Sequence, residues 1–318
     1  MTLTQIPKTD ELHFKEKFVD RYSKLTDIDE FRRYSLSFLR KSIRINTLKI
    51  SVPDLKARLE PDWVLTQVPW CKEGFWIDHK GEGEEKRRDI GNLLEHQLGY
   101  IYVQEAASML PPLVLDPQPG EKVLDMCAAP GSKTTQIAQY MGNKGIIVAN
   151  DILGTRLASL AVNVQRCGIT NVMTTQIHNW RRIPDTFDRI LVDAPCSGTG
   201  TIRKSLKTIN MWNPNLGKRM ASTQKSLISA GFDMLRPGGT MVYSTCTLEP
   251  HEDEGVINFL LDKHPEARLQ DIKLDIRRSP AVTEFEGETY NDEVNRCLRI
   301  WPQDNDTEGF FVAKIRKE

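Results

Sequence analysis

Between residues 122 and 264 the chain alternates short apolar runs with segments of helical spacing. That alternation confines it to one kind of architecture. Lys122–Met126, Gly145–Asn150, Val172–Gln176, Phe187–Val192 and Thr240–Thr245 read as strands. Thr134–Met141, Thr155–Cys167, Ser222–Leu235 and Glu252–His264 read as helices. Gly168 closes the second helix, and Pro237-Gly-Gly239 is placed to stop the third. Strands alternating with helices imply an α/β fold with a doubly wound parallel sheet. Such sheets bind ligands beyond the carboxyl ends of their strands.

The upstream part is patterned differently. Residues 11–42 carry Phe14, Phe18, Tyr22 and Leu25 at helical spacing. Ser42–Lys49 reads as a strand, Val52–Leu59 as a short helix with Pro53 at its start, and Trp63–Val68 and Phe75–Ile77 as further strands. The charged run Gly81–Asp89 reads as a solvated loop. A small α+β amino-terminal domain over 1–92, followed by an α/β domain over 93–318, is the expected organisation.

Composition narrows the function classes. Lys+Arg and Asp+Glu both number 43, which argues against a strongly basic nucleic-acid scaffold but leaves local basic surfaces open. No apolar run approaches the roughly 18 residues of a membrane span, and Met1-Thr-Leu-Thr-Gln5 lacks the regions of a signal peptide. A cytoplasmic location without membrane association is expected. The cysteines are Cys71, Cys127, Cys167, Cys196, Cys246 and Cys297, with no C-x-x-C pair, so neither a disulfide framework nor a zinc ribbon is expected, and no metal.

Four features fall at strand carboxyl ends. Asp125-Met-Cys-Ala-Ala-Pro-Gly-Ser-Lys-Thr134 is a turn of small residues entering a helix, where backbone N–H groups can meet a ligand closely. It matches neither a dinucleotide fingerprint nor a P-loop. Asp151 ends the second strand, where an acid typically holds ribose hydroxyls, although it could equally cap the next helix. Together they suggest a cofactor containing adenosine. Asp193-Ala-Pro-Cys-Ser-Gly198 and Tyr243-Ser-Thr-Cys-Thr247 put Cys196 and Cys246 after successive strands of the pattern. A lone cysteine is more often a small buried hydrophobe. Two in such positions are candidate site residues, but position alone does not say which one attacks.

These motifs resemble those of the Sun-type RNA cytosine-5 methyltransferases, and the likeness covers nearly the whole chain. It includes Arg44-Ile-Asn-Thr-Leu48, Gly99-Tyr-Ile-Tyr-Val-Gln-Glu-Ala-Ala-Ser-Met109, the three motifs above, Pro250-His-Glu-Asp-Glu254 and Gly309-Phe-Phe-Val-Ala-Lys314. The resemblance implies a Rossmann-like S-adenosylmethionine-dependent methyltransferase sheet with a small RNA-binding amino-terminal domain. It implies that Cys246 bonds to carbon 6 of cytosine, that Asp193 contacts the base edge near N3, and that Cys196 assists loss of the carbon-5 proton and release. The cofactor set it implies is Cys127, Ala128, Ala129, Pro130, Gly131, Ser132, Lys133, Asp151, Arg156, His178 and Asp193. His178, followed by Asn179, stands where the family often has an acid near the adenine, and Ser132 replaces a more usual glycine. The Glu-Asn-Val motif of DNA cytosine methyltransferases is absent.

RNA contacts are expected from basic segments. Residues 31–49 hold six basic and no acidic side chains, and residues 203–219 hold five basic and no acidic ones, with Trp212. Basic groups suit phosphates and aromatics can stack on bases. Phe31, Tyr34 and Phe38 are near helical spacing and read better as core. Arg44, Asn46, Arg203 and Lys204 are the expected RNA contacts, with the target base leaving its stack. The partner is expected to be RNA, tRNA rather than rRNA, and the enzyme a monomer. The alternative from another class is a non-catalytic RNA-binding or assembly factor.

Overall fold

The computed structural model describes residues 3–83, 87–180 and 186–318. Met1 and Thr2 of the amino-terminal reading, and residues 84–86 of the expected loop at 81–89, lie outside the described residues. The chain divides into two compact units. One comprises Arg40–Asp193 with Met234–Thr240, and the other comprises Met1–Leu39, Ala194–Asp233 and Met241–Glu318.

The Arg40–Asp193 unit begins with an antiparallel sheet. Its strands are β1 (Ser42–Ile45), β2 (Trp63–Gln67), β3 (Gly74–His79) and β4 (Ile101–Val103), in the order β2-β3-β1-β4. The helix Val52–Leu59 starts where Ser51 Oγ accepts from Asp54 N at 3.2 Å, with Pro53 in its first turn. Ile43, Ile45, Leu55, Leu59, Trp63, Phe75, Ile77 and Ile101 form one apolar cluster. Burying side chains of this kind contributes about 1.5–3 kcal/mol each. The strand β4 was not expected, because its three residues carry too short an alternation to stand out.

Four parallel strands follow: β5 (Lys122–Asp125), β6 (Ile146–Asn150), β7 (Val172–Thr175) and β8 (Phe187–Asp193), in the order β8-β5-β6-β7. The register pairs Asp125 with Ala149 and Leu124 with Ile190. The chain winds from β5 to β6 and β7, then returns to the other side of β5. The order therefore reverses beside β5, the position where doubly wound sheets bind ligands. The helices Ser132–Tyr140 and Gly154–Cys167 make the first two crossovers, and Gly168 ends the second of them at φ 71°.

Strand β9 (Leu235–Thr245) runs from one unit into the other. It begins at Leu235, directly after the helix Pro214–Met234, so Pro237-Gly-Gly239 lies inside the strand instead of ending the helix. In the other unit, strand β10 (Ala267–Gln270) precedes a two-stranded hairpin of β11 (Glu284–Phe285) and β12 (Glu288–Thr289). Strands β13 (Leu298–Ile300) and β10 both pair antiparallel with β14 (Phe310–Lys317). Helices Glu16–Tyr22 and Ile28–Ser35 contribute Phe18, Tyr22 and Phe31 to a cluster with Phe14, Trp212 and Trp301. Phe18 and Tyr22, four residues apart, share one face of the helix Glu16–Tyr22, while Phe14 packs into the same cluster from the segment before it, where the helical spacing does not extend. Among the described residues no helix is long and apolar enough to cross a membrane.

Candidate active site

The small-residue turn lies between β5 and the helix Ser132–Tyr140. Its Ala129–Pro130 peptide is cis, and Gly131 sits at φ 106°. At this φ a side chain would be strained, and a Cβ would also come 2.8 Å from Leu160 Cδ1, so glycine suits the turn where it packs against the next helix. That helix holds the turn: Arg156 donates to Ala129 O, and Asn163 Nδ2 to Pro130 O at 3.0 Å. The buried Asp151 accepts from Leu153 N at 3.0 Å and faces Arg156 Nη1 at 3.1 Å. It holds the N–H of Leu153, the residue that precedes the helix, and so is not the helix cap, and Arg156 pairs with it from the side.

Asp125 is buried and accepts from Thr134 Oγ1 at 2.7 Å, while its Oδ1 has no hydrogen-bond partner among the described residues. Burial pushes its carboxyl up to about 7; the charge of Asp193 adds to this, and Thr134 and Lys133 oppose it. Asp193 ends β8 with Oδ2 2.6 Å from Lys133 Nζ. Burial, helped by Asp125, Asp193 and Asp151, raises the Cys127 thiol, so it stays neutral. His178 and Asn179 are exposed beyond β7. A glycine-permitted close approach, an orphaned buried carboxylate oxygen and a buried acid after β6 suit an adenosine cofactor with a charged sulfur.

The two thiols belong to the other unit. Cys196 Sγ and Cys246 Sγ lie 3.3 Å apart. Their segments are bound together: Ala194 N donates to Ser244 O at 2.9 Å, and Gly200 N to Cys246 O at 3.0 Å. The hydrogen bond with Cys246 and then burial raise the Cys196 thiol well above its ordinary range. Downstream, Asp253 accepts from Thr245 Oγ1 at 2.6 Å and from Arg299 Nη2 at 2.9 Å. Arg299 is fully buried and also binds Glu254 and, at 3.1 Å, Leu248 O. A buried arginine held by two carboxylates and a carbonyl fixes the segment after Cys246.

Sequence reasoning passed over Glu252, Gln224 and Thr247, all buried around this pair. The acidic run Pro250-His-Glu-Asp-Glu254 was the available signal, since three acids beside an apolar strand demand buried partners.

The expected RNA contacts fare unevenly. Arg44 is buried; it donates to Gln104 Oε1, to Ser132 O at 2.8 Å and to Thr135 Oγ1 at 2.9 Å. Asn46 Nδ2 donates to Gly99 O and Cys167 O, at 2.9 and 2.8 Å. Arg203 is buried against Phe38 O at 2.8 Å and pairs with Asp306 at 2.8 Å. With their donors spent on protein acceptors and no exposed face, these three hold the fold and present nothing to a phosphate. Lys204, Lys207, Lys218 and Arg219 are exposed. Trp212 is buried and donates to Glu249 Oε1 at 2.9 Å, which removes it as a stacking platform. Phe31 is core, as expected, Tyr34 is half-buried and Phe38 is 40% exposed.

Residues 112–316 match the 16S rRNA methyltransferase RsmB/F family, and residues 14–106 match the N-terminal domain of 16S rRNA methyltransferase RsmF. The chain belongs to the RsmB/F methyltransferase family. That is the Sun family to which its motifs pointed. A tRNA (cytosine(49)-C(5))-methyltransferase from Pyrococcus abyssi is 49% identical over 307 residues, 95% of this chain and 96% of that protein. Ribosomal RNA small subunit methyltransferase F from Erwinia tasmaniensis is 42% identical over 97% of this chain. The chain spans 64% of that relative's length, and 57% of its counterpart from Klebsiella pneumoniae. A methyltransferase homolog from Pyrococcus horikoshii superposes with a TM-score of 0.85 at 38% identity, over 98% of both chains. NSun6 from Pyrococcus horikoshii, solved with SFG, gives 0.81 at 25% identity, over 95% of this chain and 97% of that one. The Rossmann-like methyltransferase sheet with a distinct amino-terminal domain is thereby established. Among the described residues no group of three or more His, Cys, Asp or Glu is placed to hold a metal.

Proposed function

We propose that the chain transfers a methyl group from S-adenosylmethionine to carbon 5 of cytosine in RNA, through a covalent bond between Cys246 and the base. The observation that carries this reading is the pair of sulfurs 3.3 Å apart. One thiol can add to carbon 6, and a second thiol beside it is placed to act as the base that elimination calls for.

Carbon 5 of cytosine is a weak nucleophile until carbon 6 is attacked. Cys246, as thiolate, bonds to carbon 6. Asp193, 2.6 Å from Lys133, contacts the base edge near N3, and the Lys133 ammonium beside it offsets negative charge there. Bound S-adenosylmethionine supplies an electrophilic methyl on a sulfonium. Cys196 gives up its own proton to solvent once the adduct has formed; as a thiolate it takes the proton from carbon 5, and the Cys246–carbon bond breaks, its electron pair returning to the Cys246 sulfur, to free the base.

The physical chemistry favours this order. Cys196 is kept protonated first by its hydrogen bond with Cys246 and then by burial, with the Cys246 charge adding. Once the Cys246 sulfur is a thioether, both of its contributions vanish. Cys196 then ionises more readily than in the free enzyme, which makes its thiolate available at the stage that calls for a base.

The cofactor reading is supported by the turn at Cys127–Lys133, by the buried Asp151, and by the relative solved with SFG, an analogue of S-adenosylmethionine. His178 or Asn179 would serve the adenine. The matched segments 14–106 and 112–316 support an amino-terminal domain followed by the catalytic domain; RNA binding by the first, and its end near residue 92, are proposed from the sequence pattern. A preference for tRNA over rRNA is supported by the 49% identity to a tRNA enzyme of matching extent, against 42% to an rRNA enzyme only partly covered. The six free cysteines and an RNA substrate support a cytoplasmic location.

The test is transfer of labelled methyl to tRNA and rRNA transcripts, with bisulfite mapping of the product. 5-Methylcytosine in tRNA is expected. No 5-methylcytosine in either RNA would overturn the proposal, and its appearance in rRNA alone would overturn the preference.

A further inference from the structure

We propose that Glu252 is a positioning residue that sets the separation of the two thiols by gripping the residue after each of them. Its Oε2 accepts from Ser197 N at 2.9 Å and from Gln224 Nε2 at 2.9 Å. Its Oε1 accepts from Ser197 Oγ, and from Thr247 Oγ1 at 3.4 Å. Ser197 follows Cys196, and Thr247 follows Cys246. The two hydroxyls also meet each other at 2.7 Å. Gln224 Nε2 reaches Pro195 O at 2.9 Å, so both flanks of Cys196 are held from the same point.

The carboxylate is fully buried, and a buried charge is costly unless its lone pairs are taken. Here every donor around it is neutral: two hydroxyls, one backbone N–H and one amide. Burial accordingly pushes the Glu252 carboxyl up to about 7. A glutamine would avoid that cost but has only one accepting oxygen, whereas this position receives donors on both. Oε1 meets both hydroxyls, and Oε2 adds the Ser197 N–H and Gln224. Glu252 is itself anchored, since its backbone carbonyl accepts from Tyr243 Oη at 2.7 Å and its N–H reaches Glu249 O at 2.9 Å.

The consequence for turnover rests on the proposed function, but the geometric claim does not. It is tested on the full chain without RNA or cofactor, using phenylarsine oxide, a trivalent arsenical that is retained when two thiols bind it together. The unsubstituted chain should retain the arsenical against a competing monothiol, and Cys196→Ala should not. Glu252→Ala should weaken retention about tenfold, or about 1.4 kcal/mol, while iodoacetamide still modifies both cysteines singly and the chain still melts cooperatively. Glu252→Gln should fall between. Thr247→Val keeps the carboxylate and removes one link, and should weaken retention by about threefold; it decides the matter if the Glu252 variants do not fold. In the methyl-transfer assay, Glu252→Ala should lower kcat by about a hundredfold with KM for RNA nearly unchanged. Folded variants that all retain the arsenical as the unsubstituted chain does would overturn the proposal. Absence of methyl transfer by any form, with arsenical retention changed as described, would instead count against the proposed reaction.

Discussion

The sulfurs of Cys196 and Cys246 lie 3.3 Å apart, and the hydrogen bond between them is the main reason the Cys196 thiol titrates above its ordinary range. Removing Cys246 removes that cause and leaves burial. The pH profile of Cys196 alkylation should therefore move to lower pH in Cys246→Ala. An unchanged profile would mean that burial alone sets the Cys196 thiol.

Gly200 sits where three backbone segments meet. A Cβ there would lie 2.2 Å from Gly309 O and 2.8 Å from Cys246 O. Neither atom belongs to a flexible side chain, so Gly200→Ala must displace the backbone at Gly309, at Cys246 or at Gly200 itself. A loss of about 2 kcal/mol or more in denaturant unfolding is expected, together with loss of methyl transfer. Wild-type stability in that variant would show that the segments yield easily.

Two basic residues once grouped together should separate in experiment. Arg44→Ala leaves several buried acceptors without a donor and should cost on the order of 2–4 kcal/mol of stability. Lys204→Ala, at an exposed site, should change stability by less than about 0.5 kcal/mol. The same variant should flatten the salt dependence of RNA binding by about one unit of slope. Binding titrations at several salt concentrations, paired with unfolding curves, distinguish the two. An unchanged slope for Lys204→Ala would remove it from the RNA surface.

Asp125 gives a pH dependence of known sign. Burial raises its carboxyl to about 7, so the folded chain holds this proton more tightly than the unfolded chain does. Its contribution to stability is complete below the unfolded value of about 4 and is lost as pH rises through about 7. The fully buried shift corresponds to a few kcal/mol at most. Asp125→Asn removes the titration. Urea midpoints from pH 5 to pH 8 should show the unsubstituted chain losing stability relative to the variant. A constant difference across that range would contradict the assignment.

The parallel sheet was legible because its strands are buried on both faces and stand out as apolar runs between helical segments. The strand β4 was not, since three residues carry no period. Nor was the strand beginning at Leu235 before Pro237-Gly-Gly239, where the pattern of a turn outweighed the tertiary pairing that extends the strand. The two thiols could be found from their motifs. Glu252 could not be given a task, because two of the residues that satisfy it, Gln224 and Ser197, lie 28 and 55 positions away. Charge alone misled at Arg44 and Arg203: a basic segment on the page reads as a phosphate site, and only burial shows that the guanidinium is already occupied.

The division of labour between the thiols is read by denaturing-gel capture of labelled RNA in the two single variants. With S-adenosylmethionine present, Cys196→Ala should remain covalently attached to its RNA, because Cys246 still adds to the base while the exit base is gone. Cys246→Ala should capture no RNA and transfer no methyl. Capture by Cys246→Ala with none by Cys196→Ala would contradict the account and exchange the two roles.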